Sequence, residues 1–489
     1  MTVFAQYSDY DALGLAELVK RGEVTALELW ETAVALIDEA NPVLNCVVHA
    51  HFDLARKQIE AGLPDGPFRG VPFLLKNTGF EVKDMLLSTG ARLFRDMVST
   101  RDGTLAARYK AAGLVILGKT NTPEFALSFA TEPREFGPTR NPWSLDHGPG
   151  GSSGGSSAAV AAGIVPIANS SDGAGSTRLP ASHCGLFGFK PSRMRNPLGP
   201  VAVEGIAGMS TPHALSWTVR DNAALLDVSA GADIGDPYAA PKPSGTYLAA
   251  VSQVPRRLKI GLTLNSPLGT HVDPEIVATV REAALFLENL GHHVEEVADA
   301  GYDAHALKAA WRVIAGVNVA PAVIGRGAAL AIDDPASQLE PVNEEWIREG
   351  MTQTGMAYLK AINQLHATAR GLGSFFGKYD LLLSPSTGEL APRIGEMAGS
   401  GIKLDAFYDR FWSHGPFTAA FNASGFPAMS VPFGVSKSGL PIGIHFGAAF
   451  GQDELLFSLA GEIERARPWI ASRPSYQAGK PRPAEGGVS

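Results

Sequence analysis

Thirty-one residues constrain this chain more than any others: GGSSGGSSAAVAAGIVPIANSSDGAGSTRLP, from Gly150 to Pro180. They read as a glycine-rich turn, a helix of small residues over Ser153–Ala162, a buried strand over Val165–Asn169, and a second glycine-rich turn. Glycine clusters of this kind mark places where the backbone turns tightly or approaches a ligand. Each turn carries serines, one set at the entrance of the helix and one just after the strand. A serine hydroxyl attacks only when a base takes its proton. Glycine neighbours leave it accessible and let several backbone N–H groups point at one spot, as an oxyanion hole requires. Either turn alone is more simply a helix-entry loop or a bend. Together, with a strand between them, they leave a phosphate loop or a serine-hydrolase site.

The rest of the chain supplies the scaffold. Short apolar runs at Val71–Leu75, Leu114–Leu117, Leu258–Leu262 and His293–Val297 read as strands. Helices fit Thr104–Ala112, stopped by Gly113, and a segment from Asp273-Pro274 to Gly291 with Ile276, Val280, Ala284 and Leu287 on one face. Repeated alternation predicts an α/β fold, one sheet with helices on both faces. The first sixty residues read as helices, with Ala16, Leu18, Val19, Leu27, Trp30, Ala33 and Leu36 at helical spacing. Pro42 is expected to interrupt them, and Val47–Ile59 to resume the helical pattern. Residues 300–375 are helix-rich and without a motif, an expected substrate-facing region. The Pro/Gly-rich tail 474–489 is expected to be poorly ordered.

Composition excludes several functions. A formal net charge of -8 and the absence of a basic run give a nucleic-acid partner no electrostatic support. Two cysteines, Cys46 and Cys184, make no disulfide framework and no zinc spacing, and the twelve histidines show no HExxH-like pattern. The N-terminus lacks a basic and an apolar signal region, and the longest apolar run, Ala158–Ala168, is too short for a membrane span. A soluble cytoplasmic protein is expected, with no metal and no membrane association.

Two local patterns mislead. Gly113 to Thr120 satisfies the P-loop expression GxxxxGK[ST], but a helix precedes Gly113, the middle residues form a strand and Asn121-Thr122-Pro123 follows, which inverts the P-loop order. Gly151-Ser152-Ser153-Gly154-Gly155 satisfies GxSxG, the α/β-hydrolase nucleophile elbow, yet Asp146–Gly150 before it is a loop rather than a strand.

The Gly150–Ala181 segment resembles the signature of the amidase signature family, GGSSGG followed by GxDxGGSxRxPA. The match runs Gly150-Gly151-Ser152-Ser153-Gly154-Gly155 and Asp172-Gly173-Ala174-Gly175-Ser176-Thr177-Arg178-Leu179-Pro180-Ala181, its two serines 24 positions apart as in the family. Gly70–Lys76, Gly118–Phe125, Phe136–Pro142, Asp380–Pro385, Asn422–Pro432 and Gly439–Gly443 resemble further family motifs, so the likeness spans nearly the whole chain. It implies the amidase signature fold, a mixed sheet covered on both faces, as a single amidase domain over 1–473. Within that domain, 1–65 is a helical lead-in, 66–300 the core and 376–473 the C-terminal strands and helices.

Carried over residue by residue, the resemblance makes Ser176 the nucleophile, Ser152 (beside a cis peptide bond in relatives) the proton relay and Lys76 the base. Backbone N–H groups of Gly173, Ala174, Gly175 and Ser176 would form the oxyanion hole. Ser153 and Asp172 would brace the loop, and Arg178 would pair with Asp172 or orient substrate. Lys76 closes an apolar strand, so desolvation is expected to lower its pKa. No cofactor is required, the partner is a small-molecule amide, and relatives are often homodimers. Two departures stand out: Asn77 where relatives carry Asp, expected to leave Lys76 more readily neutral, and Ala174, expected to alter the pocket's shape. Thr131-Glu132-Pro133 and Thr139–Trp143 resemble the branch that opens 6-aminohexanoate amides, with urethane and aryl-amide cleavage also open. Competing readings are a glutamine amidotransferase subunit and a non-catalytic binding protein on the same scaffold. Ester hydrolysis would use the same machinery.

Overall fold

In the computed structural model, which describes residues 4–399 and 401–480, eleven strands form one sheet. They are β1 (Val47–Ala50), β2 (Pro72–Lys76), β3 (Val115–Thr120), β4 (Ile167–Asp172), β5 (Phe187–Lys190), β6 (Thr211–Ser216), β7 (Lys259–Leu262), β8 (His293–Glu296), β9 (Leu381–Pro385), β10 (Ala428–Val435) and β11 (Pro441–Ala448). Their order is β1-β3-β2-β4-β6-β5-β10-β11-β9-β7-β8. Pairing is parallel in β3-β2-β4 and in β9-β7-β8, and antiparallel between them and at β1. The sheet is therefore mixed. Consecutive residues of β2, β3, β5, β6, β9 and β11 are all buried, which happens only where both faces are covered.

Fifteen α-helices do the covering among the described residues: α1 (Ala12–Arg21), α2 (Ala26–Leu44), α3 (Phe52–Glu60), α4 (Thr104–Ala111), α5 (Gly154–Ala161), α6 (Arg178–Cys184), α7 (Val219–Ser229), α8 (Tyr247–Val251), α9 (Pro274–Asn289), α10 (Ala304–Leu330), α11 (Pro341–Met351), α12 (Gly355–Phe376), α13 (Leu404–His414), α14 (Ala419–Ser424) and α15 (Asp453–Ala466). One core cluster surrounds the sheet. A second, built from Trp311, Trp346, Leu365, Phe411 and their neighbours, joins the helical layer of α10–α13 to Ala174 and Leu179. Within that layer α10 and α11 cross where Gly316 meets Gly350, an approach a β-carbon at Gly350 would forbid.

Several expectations need correction. Pro42 lies inside α2 rather than breaking it, because a proline in the last turn forfeits one hydrogen bond while the capping box of Thr25 and Glu28 holds the other end. The helix ends instead at Asn45, in left-handed conformation, where the Asn41 side chain binds the backbone of Cys46 and Val47. Val47–Ala50 is strand β1, not the start of a helix: its two valines take an edge position beside β3. The tail begins docked, since Tyr476 and Ala478 are buried and their N–H groups donate to Pro142 and Ala162. Residues 481–489 lie outside the described part. By length and composition α10 could cross a membrane, although a third of its most apolar stretch is buried. Its alanines, valines and glycines are spread among polar residues, which hid it from a search for unbroken apolar runs.

Candidate active site

Lys76 ends β2, flanked by β3 and β4, and is fully buried. Its Nζ lies 2.6 Å from Ser152 Oγ, 3.1 Å from Ser171 Oγ and 3.3 Å from Ser171 O. Among the described residues no carboxylate touches the amine, so burial pushes its pKa down to about 7, against a smaller upward pull from Asp172. Asn77 does not join this group. Its amide pairs with Ser88 in both directions, at 2.7 and 3.0 Å, so it leaves the amine's contacts untouched.

The first glycine turn brings Ser152 to that amine. The Gly151–Ser152 peptide is cis, and the Ser152 carbonyl accepts from Thr122 Oγ1 at 2.9 Å. Gly155, in the first turn of α5, packs against the Asn121 backbone with no room for a β-carbon. Ser153 braces the two turns to each other: its N–H donates to Ser176 O at 3.2 Å and its hydroxyl to Ser171 O at 3.3 Å. That bond leaves the Ser153 hydroxyl facing a carbonyl and gives the nucleophile-elbow reading no histidine base. The P-loop match fails as the sequence order predicts, with Gly113 after α4, Val115–Thr120 in β3 and Lys119 buried against Phe80 O.

The second turn hangs from a buried ion pair. Arg178 Nε and Nη2 reach the two oxygens of Asp172 at 2.9 Å each, with both side chains fully buried. Burial alone would raise the Asp172 carboxyl, but the Arg178 charge and its hydrogen bonds, helped by Asn422, hold it well below the usual carboxylate range. Arg178 also binds Thr418 O, His445 and Asn422 Oδ1, and does not reach the cavity. Asp172 Oδ2 takes the N–H of Thr177, so the backbone between Asp172 and Thr177 bulges as a loop. Gly175 has φ 145°, and Leu179 and Thr418 fill the place of any β-carbon there. Within the described residues, the N–H groups of Gly173, Ala174, Gly175 and Ser176 have no protein acceptor. Four unpaired donors on one loop are what an anionic oxygen requires.

Ser152, Ser171, Gly173, Ala174 and Ser176 all line one cavity of about 320 Å³. Ser176 is 6% exposed, and its hydroxyl is not hydrogen-bonded to Ser152 among the described contacts; both open onto the same space. Of the helix-rich 300–375 region only α10 lines it, through Trp311, Asn318, Val319 and Ala322; α11 and α12 stand behind. Sequence reading missed the other walls: Phe125-Ala126, Ile206 with Glu204, and Phe411. Of these only Phe125 ends a family-like motif, Gly118–Phe125; the others come together only in the fold. Among the described residues no group of three His, Cys, Asp or Glu is placed to hold a metal ion.

With that geometry in hand, known proteins resolve the family. A model of the Amidase family matches residues 28–457, most of the chain. The chain belongs to the amidase signature family. This amidase is 37% identical over 475 residues to the 6-aminohexanoate-cyclic-dimer hydrolase of Paenarthrobacter ureafaciens, covering 95% of this chain and 96% of that one. A solved 6-aminohexanoate cyclic dimer hydrolase superposes with TM-score 0.90 at 36% identity, over 96% of this chain and 99% of that one. A bacterial aryl acylamidase of the same family superposes with TM-score 0.86 at 28% identity, over 95% and 99%. The amidase thus has the fold and reaction class its motifs imply.

Proposed function

We propose that this amidase cleaves the C–N bond of a small, uncharged, largely apolar amide, whether linear, cyclic or oligomeric and including carbamates, through an acyl-Ser176 intermediate. The observation that carries the reading is the 2.6 Å contact from Lys76 Nζ to Ser152 Oγ in a fully buried pair beside the cavity that Ser176 lines. Neutral Lys76 takes the Ser152 proton as Ser152 takes that of Ser176, and Ser176 Oγ bonds to the carbonyl carbon. The carbonyl oxygen becomes an oxyanion and accepts from the unpaired N–H groups of 173–176. On collapse the C–N bond breaks, and the departing nitrogen receives the proton back from Lys76 through Ser152. Water then repeats the route, bonding to the acyl carbon and freeing Ser176. The Ser152–Ser176 link closes when substrate tightens the site, as catalytic hydrogen bonds commonly do.

Substrate chemistry is read from the walls. Trp311, Phe125, Ile206, Val319 and Phe411 offer apolar surface; of the lining residues only Glu204 is charged, and with no arginine or lysine the cavity disfavours a carboxylate. Likeness to hydrolases of the 6-aminohexanoate cyclic dimer supports amides of aliphatic amino acids as the first to try. Two free, buried cysteines, Cys46 and Cys184, support action in a reducing, cytoplasmic compartment. A homodimer is the oligomer we would test first.

A fluorophosphonate probe followed by mass spectrometry tests the assignment. Labelling at Ser176 that collapses in Lys76→Ala and Ser152→Ala is expected. Labelling at Ser153 that ignores Lys76, or none in the folded protein, would overturn it.

A further inference from the structure

The described residues hold two places where consecutive non-glycine residues both adopt positive φ: Phe125-Ala126 (52° and 60°) and Ile206-Ala207 (51° and 51°). Left-handed backbone costs any residue with a β-carbon, and for an aromatic or β-branched one it is a true outlier. Such strain persists only where the surroundings over-determine it, and it clusters at ligand clamps. Both pairs border the cavity before Ser176, contributing Phe125, Ala126 and Ile206 to its wall.

Each pair is held by hydrogen bonds in the backbone around it. Phe125 N–H donates to Thr89 O and Ala126 N–H to Pro123 O, both at 2.8 Å, and the Phe125 ring meets Phe94 edge-on at 5.7 Å. Glu124, just before, accepts from Glu340 N–H at 2.8 Å and Asn343 Nδ2 at 2.9 Å, which ties this wall to α11. On the other side Ser210 N–H closes onto Gly205 O at 3.1 Å and Arg193 Nε onto Gly208 O at 2.7 Å. Asn422 Nδ2 binds Met209 O at 3.1 Å and, at 2.7 Å, the carbonyl of Asp172. One side chain therefore sets the Ile206 wall and the Ser176 turn in register. Ile206 Cδ1 and Trp311 Cη2 stand 3.4 and 3.5 Å from where a β-carbon of Gly173 would be, directly over the loop of unpaired N–H groups.

We propose that Phe125 and Ile206 are the specificity-determining pair of this amidase, fixed walls that select by shape and favour amides of an unbranched apolar acyl chain over their branched isomers. The proposal rests on the reading of Ser176 as nucleophile. A wall that could follow the substrate would discriminate little between isomers of equal hydrophobicity. These two cannot follow, since the backbone beneath them is hydrogen-bonded on both flanks and Ile206 is stiff at χ1.

The test compares kcat/KM for the p-nitroanilides of hexanoic and 2-ethylbutanoic acid, which have the same number of carbons. The wild type is expected to prefer the straight chain, and Phe125→Ala or Ile206→Ala to shrink that preference by about tenfold, the scale set by steric fit in an apolar pocket. Ala126→Gly and Ala207→Gly, which relax the left-handed backbone, are expected to melt no lower than the wild type while the preference narrows. A wild type indifferent to branching, or a ratio unchanged in both alanine variants, overturns the proposal. A fall in melting temperature in both glycine variants overturns the strain on which it stands. Ser176→Ala separates the two readings: turnover that survives in it counts against the nucleophile, not against the walls.

Discussion

At the scale of single residues, the proposed base is a buried amine with no carboxylate in hydrogen-bonding reach among the described residues. Lys76 is held near neutrality by burial, so kcat/KM should rise with pH through an apparent pKa of about 7 as the amine loses its proton. Lys76→Ala should lower kcat by about 10²–10⁴-fold, read by steady-state kinetics. The same shift costs stability. Folded Lys76 titrates near 7 and an unfolded lysine near its ordinary 10.5, so between those values the unfolded chain binds the extra proton and stability rises with pH. The cost is full below about 7 and gone by 10.5. Lys76→Met should therefore be inactive yet melt higher than the wild type at pH 7, with the gap closing toward pH 10; a lower-melting variant would refute the desolvated amine. Asp172→Asn should behave in the opposite way. It strands the buried Arg178 charge, at a cost of about 3–5 kcal/mol visible in the urea midpoint.

At the scale of elements, glycine in α5 shows packing overriding propensity. Alanine is the better helix former by about 1 kcal/mol, so Gly155→Ala judged by α5 alone should stabilise. The β-carbon, however, would run into the backbone of Asn121 and the carbonyl of Cys46. We expect a net loss of about 1–3 kcal/mol by chemical denaturation, with lower activity, because Ser152 stands just ahead of this helix. Gly163, after the same helix, has open space around it but stands at φ 79°, so alanine there would be penalised by the backbone and not by a clash.

At the scale of the whole molecule, the last described stretch of the chain is stitched to segments far before it. The C-terminal strip reaches Pro142 and Ala162, and Gly479 N–H meets Glu39 of α2. Removing residues 475–489 should expose the side-chain bed of Tyr476 and cost about 2–3 kcal/mol. A truncated chain that melts with the wild type would show the strip to be ornamental. The layer of α10–α13 shares its core cluster with Ala174 and Leu179, so packing faults there should reach the Ser176 turn.

Much of this protein was legible in its residues because the chemistry sits in one continuous segment. Ser152, Ser153, Asp172, Ser176 and Arg178 share the Gly150–Ala181 signature, and Lys76 closes an apolar strand. The parallel strands that frame them follow from local apolar runs and glycine stops. Strands β1, β5 and β6 escaped notice because none is an unbroken apolar run: β1 is Val-Val-His-Ala, β5 Phe-Gly-Phe-Lys and β6 Thr-Pro-His-Ala-Leu-Ser, each made a strand by its pairing partners in the sheet. By itself the sequence determined the two glycine–serine turns and an apolar strand ending in Lys76, and its resemblance to the amidase signature family implied the reaction class. Only the tertiary structure decided the partner of Asn77, the unpaired N–H groups of 173–176 and the walls of the cavity. Those rest on contacts between Phe125, Ile206, Trp311 and Phe411, which the chain brings together only when the sheet and its helical layer close.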